Sequence, residues 1–174
     1  MLDGRKVTVL GAGIAGLAVA RALALRGAEV TVLEQAAAIR EVGAGLQIAP
    51  NGVRGIEALG LGPAFAAATG PAEAVELVDG ETGGAVLRLD LGHGRAGASF
   101  RFVHRADLVE LLAEGARTAG VTIRFCEQVG EVRLGAHPPR LVLAGGRETE
   151  AALLVGADGL HSRVRAALNG AAAP

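Results

Sequence analysis

Between Lys6 and Glu34 the chain reads KVTVL, GAGIAG, LAVARALALRG, AEVTVLE, and no other stretch limits the fold as strongly. Lys6 to Leu10 is a short β-branched run and predicts a buried strand. The glycine-rich Gly11 to Gly16 breaks it. Ile14 to Arg26 then predicts a helix, with Leu17, Ala20 and Ala24 on one face and Arg21 and Arg26 off it, and Gly27 closes its C-terminal end. Glu29 to Glu34 predicts a second strand. Two strands joined by a helix that packs back on the sheet must run parallel.

The glycines of that turn are spaced Gly11-x-Gly13-x-x-Gly16, directly after a strand and opening a helix. Gly11 permits the tight turn, Gly13 leaves room for a pyrophosphate at the helix N-terminus, and Gly16 lets the helix lie close on the strand. Gly11, Gly13, Ile14, Ala15 and Gly16 are therefore candidate cofactor-binding residues. Glu34 ends the second strand, 21 residues after Gly13, where a carboxylate accepts hydrogen bonds from ribose hydroxyls. It would repel a 2′-phosphate, so the expected ligand carries an unphosphorylated adenosine ribose, as FAD and NAD do. The plainer alternative is a glycine-rich turn beside a solvated glutamate.

Composition excludes several classes. Apolar residues make up 51% of the 174 and charged residues 20%, which is not a disordered chain. Sixteen arginines stand against one lysine, yet the net charge is −1, which argues against a nucleic-acid binder working through a basic surface. With no Trp or Tyr and four Phe, no base-stacking platform is expected. The single cysteine, Cys126, excludes an intramolecular disulfide framework and a multi-thiolate metal site, and reads as a core residue of a cytoplasmic protein. MLDGRKVTVLGAG has no apolar stretch behind a basic segment, so no signal peptide is expected. The uncharged runs are too short for a membrane span.

Beyond Glu34, residues 36–52 lack periodicity and are expected to form a long loop, with Pro50 or Asn51 starting a short helix through Ala58. Gly60 to Gly62 ends that helix. Strands are expected at Ala74 to Asp79, Ala85 to Leu91 and Phe100 to His104, and a helix at Arg105 to Ala119 with Leu108, Leu111, Leu112 and Ala116 on one face. Val121 to Phe125, Gln128 to Leu134, Arg140 to Leu143 and Glu148 to Glu150 are further strand candidates. Leu153 to Val155 reads as a last buried strand before a helix at Ser162 to Leu168. The pattern is an α/β domain with a β-rich insertion.

Three further segments carry chemistry. Leu154 to Arg165 reads LVGADGLHSRVR, a strand ending in an Ala-Asp-Gly turn that runs into a basic helix. This segment resembles the Asp-Gly fingerprint of the flavoprotein aromatic hydroxylases, the group of p-hydroxybenzoate, salicylate and 3-hydroxybenzoate hydroxylases. Asp158, Gly159, Ser162 and Arg165 stand at its positions. The resemblance implies that this turn supports the FAD pyrophosphate and takes part in NAD(P)H binding. Gln35, next to Glu34, is a further candidate, and Arg40 to Gly52, REVGAGLQIAPNG, looks like the loop that passes the flavin in the same group and adds Arg40 and Gln47. His104-Arg105-Ala106-Asp107-Leu108 matches the place where the family sets an arginine against FAD, and Val129 stands where relatives place a backbone contact to adenine. The alternatives are a capped helix at Ser162, a flexible loop at 40–52 and a solvated Arg105. His93, His137 and His161 show no metal-ligand spacing, and Ser99 and Ser162 lack a nucleophile-elbow context.

What the resemblance implies is a Rossmann-like FAD-binding domain, a parallel sheet with a β-meander, formed by 1–72 and 103–174. Residues 73–102 would begin a β-rich substrate domain, the whole being truncated relative to the family. The implied activity is an FAD-dependent monooxygenase that consumes NAD(P)H and dioxygen and hydroxylates a small aromatic substrate such as salicylate or a hydroxybenzoate. Its C-terminal half would be missing or located elsewhere. No residue reads as a catalytic acid or base. An epoxidase or reductase of the same superfamily, and an inactive nucleotide-binding remnant, stay open as alternatives.

Overall fold

The structure is a computed structural model that describes residues 2–39, 44–91, 100–135 and 138–170. By packing, the chain divides into two compact units, Met1–Glu41 with Val109–Pro174, and Val42–Leu108. Residues 42–72 and 103–108 thus group with the segment 73–102.

In the first unit, β1 (Lys6–Leu10), α1 (Ile14–Ala24) and β2 (Glu29–Leu33) form the expected β-α-β. KVTVL and EVTVL pair in parallel, from Lys6 opposite Glu29 to Leu10 opposite Leu33. Val7, Val9 and Leu10 and their counterparts Val30, Val32 and Leu33 are all buried, as strands covered on both faces require. α1 buries Gly16, Leu17 and Ala20. It stops at Ala24, two residues before the expected Arg26. Gly27, at φ +87, lets the chain turn into β2, and a Cβ there would lie 2.5 Å from Asp3 Oδ1.

α4 (Arg105–Thr118) starts in the last residues of the second unit and continues in the first, and Gly120, at φ +86, ends it. Val109 and Ala113 are buried with Leu108, Leu112 and Ala116, while Leu111 is only half-buried, so the buried stripe is rotated from the expected one. Then come β8 (Thr122–Arg124), the antiparallel meander β9 (Val129–Arg133), β10 (Arg140–Leu143) and β11 (Glu148–Glu150), and finally β12 (Leu154–Gly156) and α5 (Arg163–Asn169). The parallel sheet has the order β12-β1-β2-β8. Val132, Leu141 and Ala151 cluster with Leu10, Leu33 and Val164, which joins the meander to the sheet and α5. Exposed ion pairs lie along the meander, Arg133 with Glu131 and Glu148 and Arg140 with Glu150. Beside Arg133 the Glu131 carboxyl is held below its ordinary range, chiefly by the hydrogen bond between them.

The second unit holds β3 (Gly45–Ile48), α2 (Pro50–Ala58), α3 (Gly62–Ala68), β4 (Gly70–Pro71), β5 (Ala74–Val78), β6 (Ala85–Asp90) and β7 (Arg101–His104). β3 and β4 flank β7 in an antiparallel sheet. The expected long loop at 36–52 therefore contains a strand, GLQI, which acquires its ladder from Arg101–His104 more than fifty residues later. α3 is also new. Gly60 to Gly62 reads as a stop, yet Pro63 stands in the first turn of a helix that buries Phe65. Arg101 closes its far end, donating to the carbonyls of Ala66 at 3.0 Å and Thr69 at 2.8 Å. β5 and β6 form a hairpin whose turn is organised by Asp79, which accepts from the amides of Glu81 (3.0 Å) and Thr82 (2.7 Å) and from the Thr82 hydroxyl (2.8 Å). Those hydrogen bonds lower the Asp79 pKa from its ordinary value, the Thr82 amide most.

Among the described residues no helix is long and apolar enough to cross a membrane.

Candidate functional site

β1 lies between β2 and β12, and the chain leaves it toward β2 and later returns on its other side at β12. Such a switch point leaves a crevice at the carboxyl ends of the strands, where open α/β sheets bind their ligands. The glycine turn occupies it. Gly11 has φ +95, and a Cβ would stand 2.5 Å from the carbonyl oxygen of Ala157, so no other residue fits. Its amide donates to Leu33 at 2.8 Å, and the Ala157 amide donates to Leu10 at 2.9 Å, which ties the turn to β2 and β12. A Cβ on Gly16 would lie 1.9 Å from the Gly11 carbonyl oxygen, so Gly16 is what lets α1 sit on the strand.

Gly13 is different. It is the N-cap of α1, with φ −77 and ψ −176, and a Cβ there meets nothing within 4 Å. Nothing in the chain requires glycine at this position. α1 also has no side-chain cap and no acidic residue in its first turn, so its amide end and positive dipole end are left for an anion. Ile14 and Ala15 form that first turn. α5 is the opposite case. Asp158 accepts from the Ser162 hydroxyl at 2.6 Å and from the amides of Arg163 and Val164 at 2.6 and 3.3 Å, and the Ser162 hydroxyl accepts from the Arg165 amide at 3.0 Å. The α5 N-terminus is closed by the protein itself, in line with the capped-helix reading of Ser162.

The Glu34 carboxylate is already in use. One oxygen accepts from the Ala12 amide at 2.7 Å and the other from the Ala36 amide at 2.9 Å. It therefore clamps the glycine turn to the segment after β2. A carboxylate has about four acceptor sites, so both oxygens retain capacity for hydroxyl donors.

Gly11, Gly13, Glu34, Gln35, Val129 and Asp158 line one cleft of about 320 Å³ at these strand ends. Ile14, Ala15 and Gly16 continue the same turn into the first residues of α1. Gln47, exposed in β3 opposite Phe102, and Arg105, whose amide donates to the Ala44 carbonyl at 3.3 Å, belong to the second unit. Arg40 lies outside the described residues, as do His93, Ser99 and His137. Sequence reasoning missed Gln128, His161 and Arg163, which also line the cleft. Their proximity in sequence to Val129 and Asp158 was the available signal. Cys126, expected in the core, is exposed and has φ +57, because the chain turns there to pair its amide with the Ala36 carbonyl at 3.0 Å. Among the described residues no three His, Cys, Asp or Glu are grouped to hold a metal ion.

The model of the FAD binding domain matches residues 5–172. The chain is 38% identical over 164 residues to the 3-amino-4-hydroxybenzoate 2-monooxygenase of Streptomyces cremeus, covering 92% of this chain and 41% of that protein. It is 35% identical to the 3-hydroxybenzoate 6-hydroxylase of Polaromonas naphthalenivorans (strain CJ2), covering 96% and 43%. A crystal structure of 2-methyl-3-hydroxypyridine-5-carboxylic acid oxygenase superposes with a TM-score of 0.83 at 30% identity, again over 96% of this chain and 43% of that one. The chain thus spans about two fifths of the length of these relatives, their N-terminal part. With its parallel sheet, its glycine turn and a family match over nearly its whole length, the chain belongs to the FAD-binding domain family.

Proposed function

We propose that the chain holds FAD at the glycine turn and serves as the N-terminal part of an NAD(P)H-consuming monooxygenase that hydroxylates a small aromatic ring of the salicylate or hydroxybenzoate kind. One observation carries the reading. Gly11 and Gly16 are required by the chain's own packing, while the space a Cβ on Gly13 would fill is empty and opens at the uncapped end of α1. A pyrophosphate needs that space to approach the backbone amides.

Gly11, Gly13, Ile14, Ala15 and Gly16 form the cradle in this reading, with the helix dipole stabilising the phosphate charge. Glu34 takes the adenosine hydroxyls on the lone pairs left by Ala12 and Ala36, with Gln35 beside it. Val129 offers backbone to the adenine, and Asp158 holds the turn that closes the cleft. The resemblance adds Arg40, Gln47 and Arg105. FAD, when bound, accepts reducing equivalents from NAD(P)H and activates dioxygen, while the protein binds, orients and excludes water. The names of the relatives, hydroxylases of amino- and hydroxybenzoates, support a small aromatic acid as substrate. The reading assigns 1–72 and 103–174 to FAD binding and 73–102 to the start of a substrate-domain sheet. A cytoplasmic location suits a chain whose only cysteine is unpaired.

The test is titration with FAD, followed by quenching of flavin fluorescence, for the wild-type chain and Gly13→Val. Saturable quenching that is lost in a folded Gly13→Val protein is the expected result. Equal binding by both proteins would remove the glycine turn from the site.

A further inference from the structure

We propose that Glu127 is a positioning residue: its carboxylate, held between Arg124 and Arg147, fixes the wall of the cleft that faces the base of a bound adenosine. Glu127, Gln128 and Val129 form that wall. The segment crosses from β8 in the parallel sheet to β9 in the meander, and its backbone is tied at both ends. The Glu34 amide donates to the Arg124 carbonyl at 2.9 Å, the Glu127 amide to the Glu34 carbonyl at 2.9 Å, and the Ala144 amide to the Gln128 carbonyl at 2.8 Å. Between these ties Cys126 has φ +57, a conformation that a residue with a Cβ rarely adopts. The Glu127 side chain is only 11% exposed, and one of its oxygens accepts from Arg124 and the other from Arg147. Arg124 ends β8 and Arg147 precedes β11. A single carboxylate thus cross-links the sheet, the crossing segment and the meander.

What lies behind the wall makes this cross-link matter. Leu33 and Glu127 also line a second cleft, of about 450 Å³, between the sheet and the meander, where Lys6, Thr8 and Thr31 face Arg147 and Thr149. The wall therefore stands between two clefts with no packed core at its back, and the paired carboxylate does the work that packing does elsewhere. The ion pairs on the outer meander, such as Arg133 with Glu131, join two half-exposed side chains and contribute little. Glu127 is buried, and removing its charge leaves the crossing segment untied from both layers. The inference rests on the reading of the cleft as the FAD site. A ribose held by Glu34 carries its base toward residues whose backbone is hydrogen-bonded to Glu34 itself, so the placement of Gln128 and Val129 sets the fit of the base and leaves the phosphates at the glycine turn unaffected.

Amide NMR titrations of the 174-residue chain test it, with two probes: ADP, which carries the adenosine and pyrophosphate of FAD, and inorganic pyrophosphate. In the wild-type chain ADP is expected to shift the amides of Gly13 and Ile14 and those of Gln128 and Val129, and pyrophosphate only the first pair. Glu127→Gln and Arg147→Gln should each weaken ADP binding by about three- to tenfold and shrink the shifts at 128 and 129, with pyrophosphate binding unchanged and the double variant no weaker than either single one. Arg147 is half-exposed, so its variant carries the test if Glu127→Gln does not fold. Wild-type ADP affinity in both single variants would overturn the proposal, and equal losses for ADP and pyrophosphate would reduce Glu127 to a merely structural role. Wild-type shifts at Gly13 and Ile14 with none at 128 and 129 would overturn it while leaving the glycine turn as the phosphate site. No wild-type shift with either probe would instead remove the FAD reading, and this inference with it.

Discussion

Gly13 and Gly16 stand three residues apart under opposite constraints. A Cβ on Gly16 meets the Gly11 carbonyl oxygen at 1.9 Å, whereas one on Gly13 meets nothing. Gly16→Val should therefore cost about 3 kcal/mol or more by forcing α1 off its strand. Gly13→Val should unfold at nearly the wild-type temperature while binding no flavin. Thermal unfolding by circular dichroism, read beside the flavin absorbance band, checks both, and an intact melting curve for Gly16→Val would contradict the close-packing argument. Glu34 has two duties that separate experimentally. Its loss as an acceptor for Ala12 and Ala36 should lower the stability of the ligand-free chain by about 1–3 kcal/mol in Glu34→Ala. Loss of its charge-assisted ribose bonds should weaken FAD binding by roughly 10- to 150-fold. A melting temperature that does not move would show that the clamp contributes nothing without ligand. The ribose role proposed for Glu34 is read from its place at the end of a strand, a signal legible in the sequence. The clamp is not legible there, because it joins residues 22 apart and depends on how the folded turn presents its amides.

Among the elements, α5 depends on its cap. Asp158 satisfies the first amides of the helix and orients Ser162, so Asp158→Ala should destabilise the chain by about 1–2 kcal/mol, and Ser162→Ala by about 1 kcal/mol. Urea unfolding with an unchanged slope measures both, and wild-type midpoints would refute the cap. The β5–β6 turn gives a pH test. Asp79 has its pKa lowered by hydrogen bonds from Thr82 and Glu81, so its contribution is present above the ordinary carboxylate value of 3.8 and is lost as pH falls through the lower folded value. A carbon-detected NMR titration should find the Asp79 midpoint below 3.8, and a midpoint at or above that would mean the turn does not hold the charged form. Element by element, the sequence was clearest where signals were local. β1, α1, β2 and α5 have β-branched runs, a glycine stop or a Ser cap within a few residues. β3 has only Leu46 and Ile48 to mark it, and its identity comes from β7. α3 was hidden because glycines and a proline mean both the end of one helix and the first turn of the next.

At the scale of the molecule, the parallel order of β1 and β2 and the position of the glycine turn are legible in the amino-acid sequence, because a strand-helix-strand unit has one allowed handedness. The meander's packing on Leu10, Leu33 and Val164 is not, since it rests on contacts among residues up to 154 positions apart. The same scale governs activity. The chain spans about two fifths of its relatives, and its described residues form a cleft of about 320 Å³ lined by the turn, Glu34 and Asp158. That volume is at the low end for a small-ligand site, roughly 300–1,000 Å³, and suits the adenosine and pyrophosphate better than a whole dinucleotide with its flavin ring. Hydroxylation needs the ring shielded from water, since activated oxygen on an exposed flavin is released as hydrogen peroxide. The 174-residue chain alone should therefore turn over NADH, if at all, with stoichiometric peroxide and no hydroxylated product. An oxygen electrode with and without catalase, together with chromatography of salicylate and 3-hydroxybenzoate reactions, measures the two outcomes. Coupled product formed by this chain alone would mean that its residues enclose the flavin ring after all, and that the cleft beside Gly13 opens much further in the bound protein.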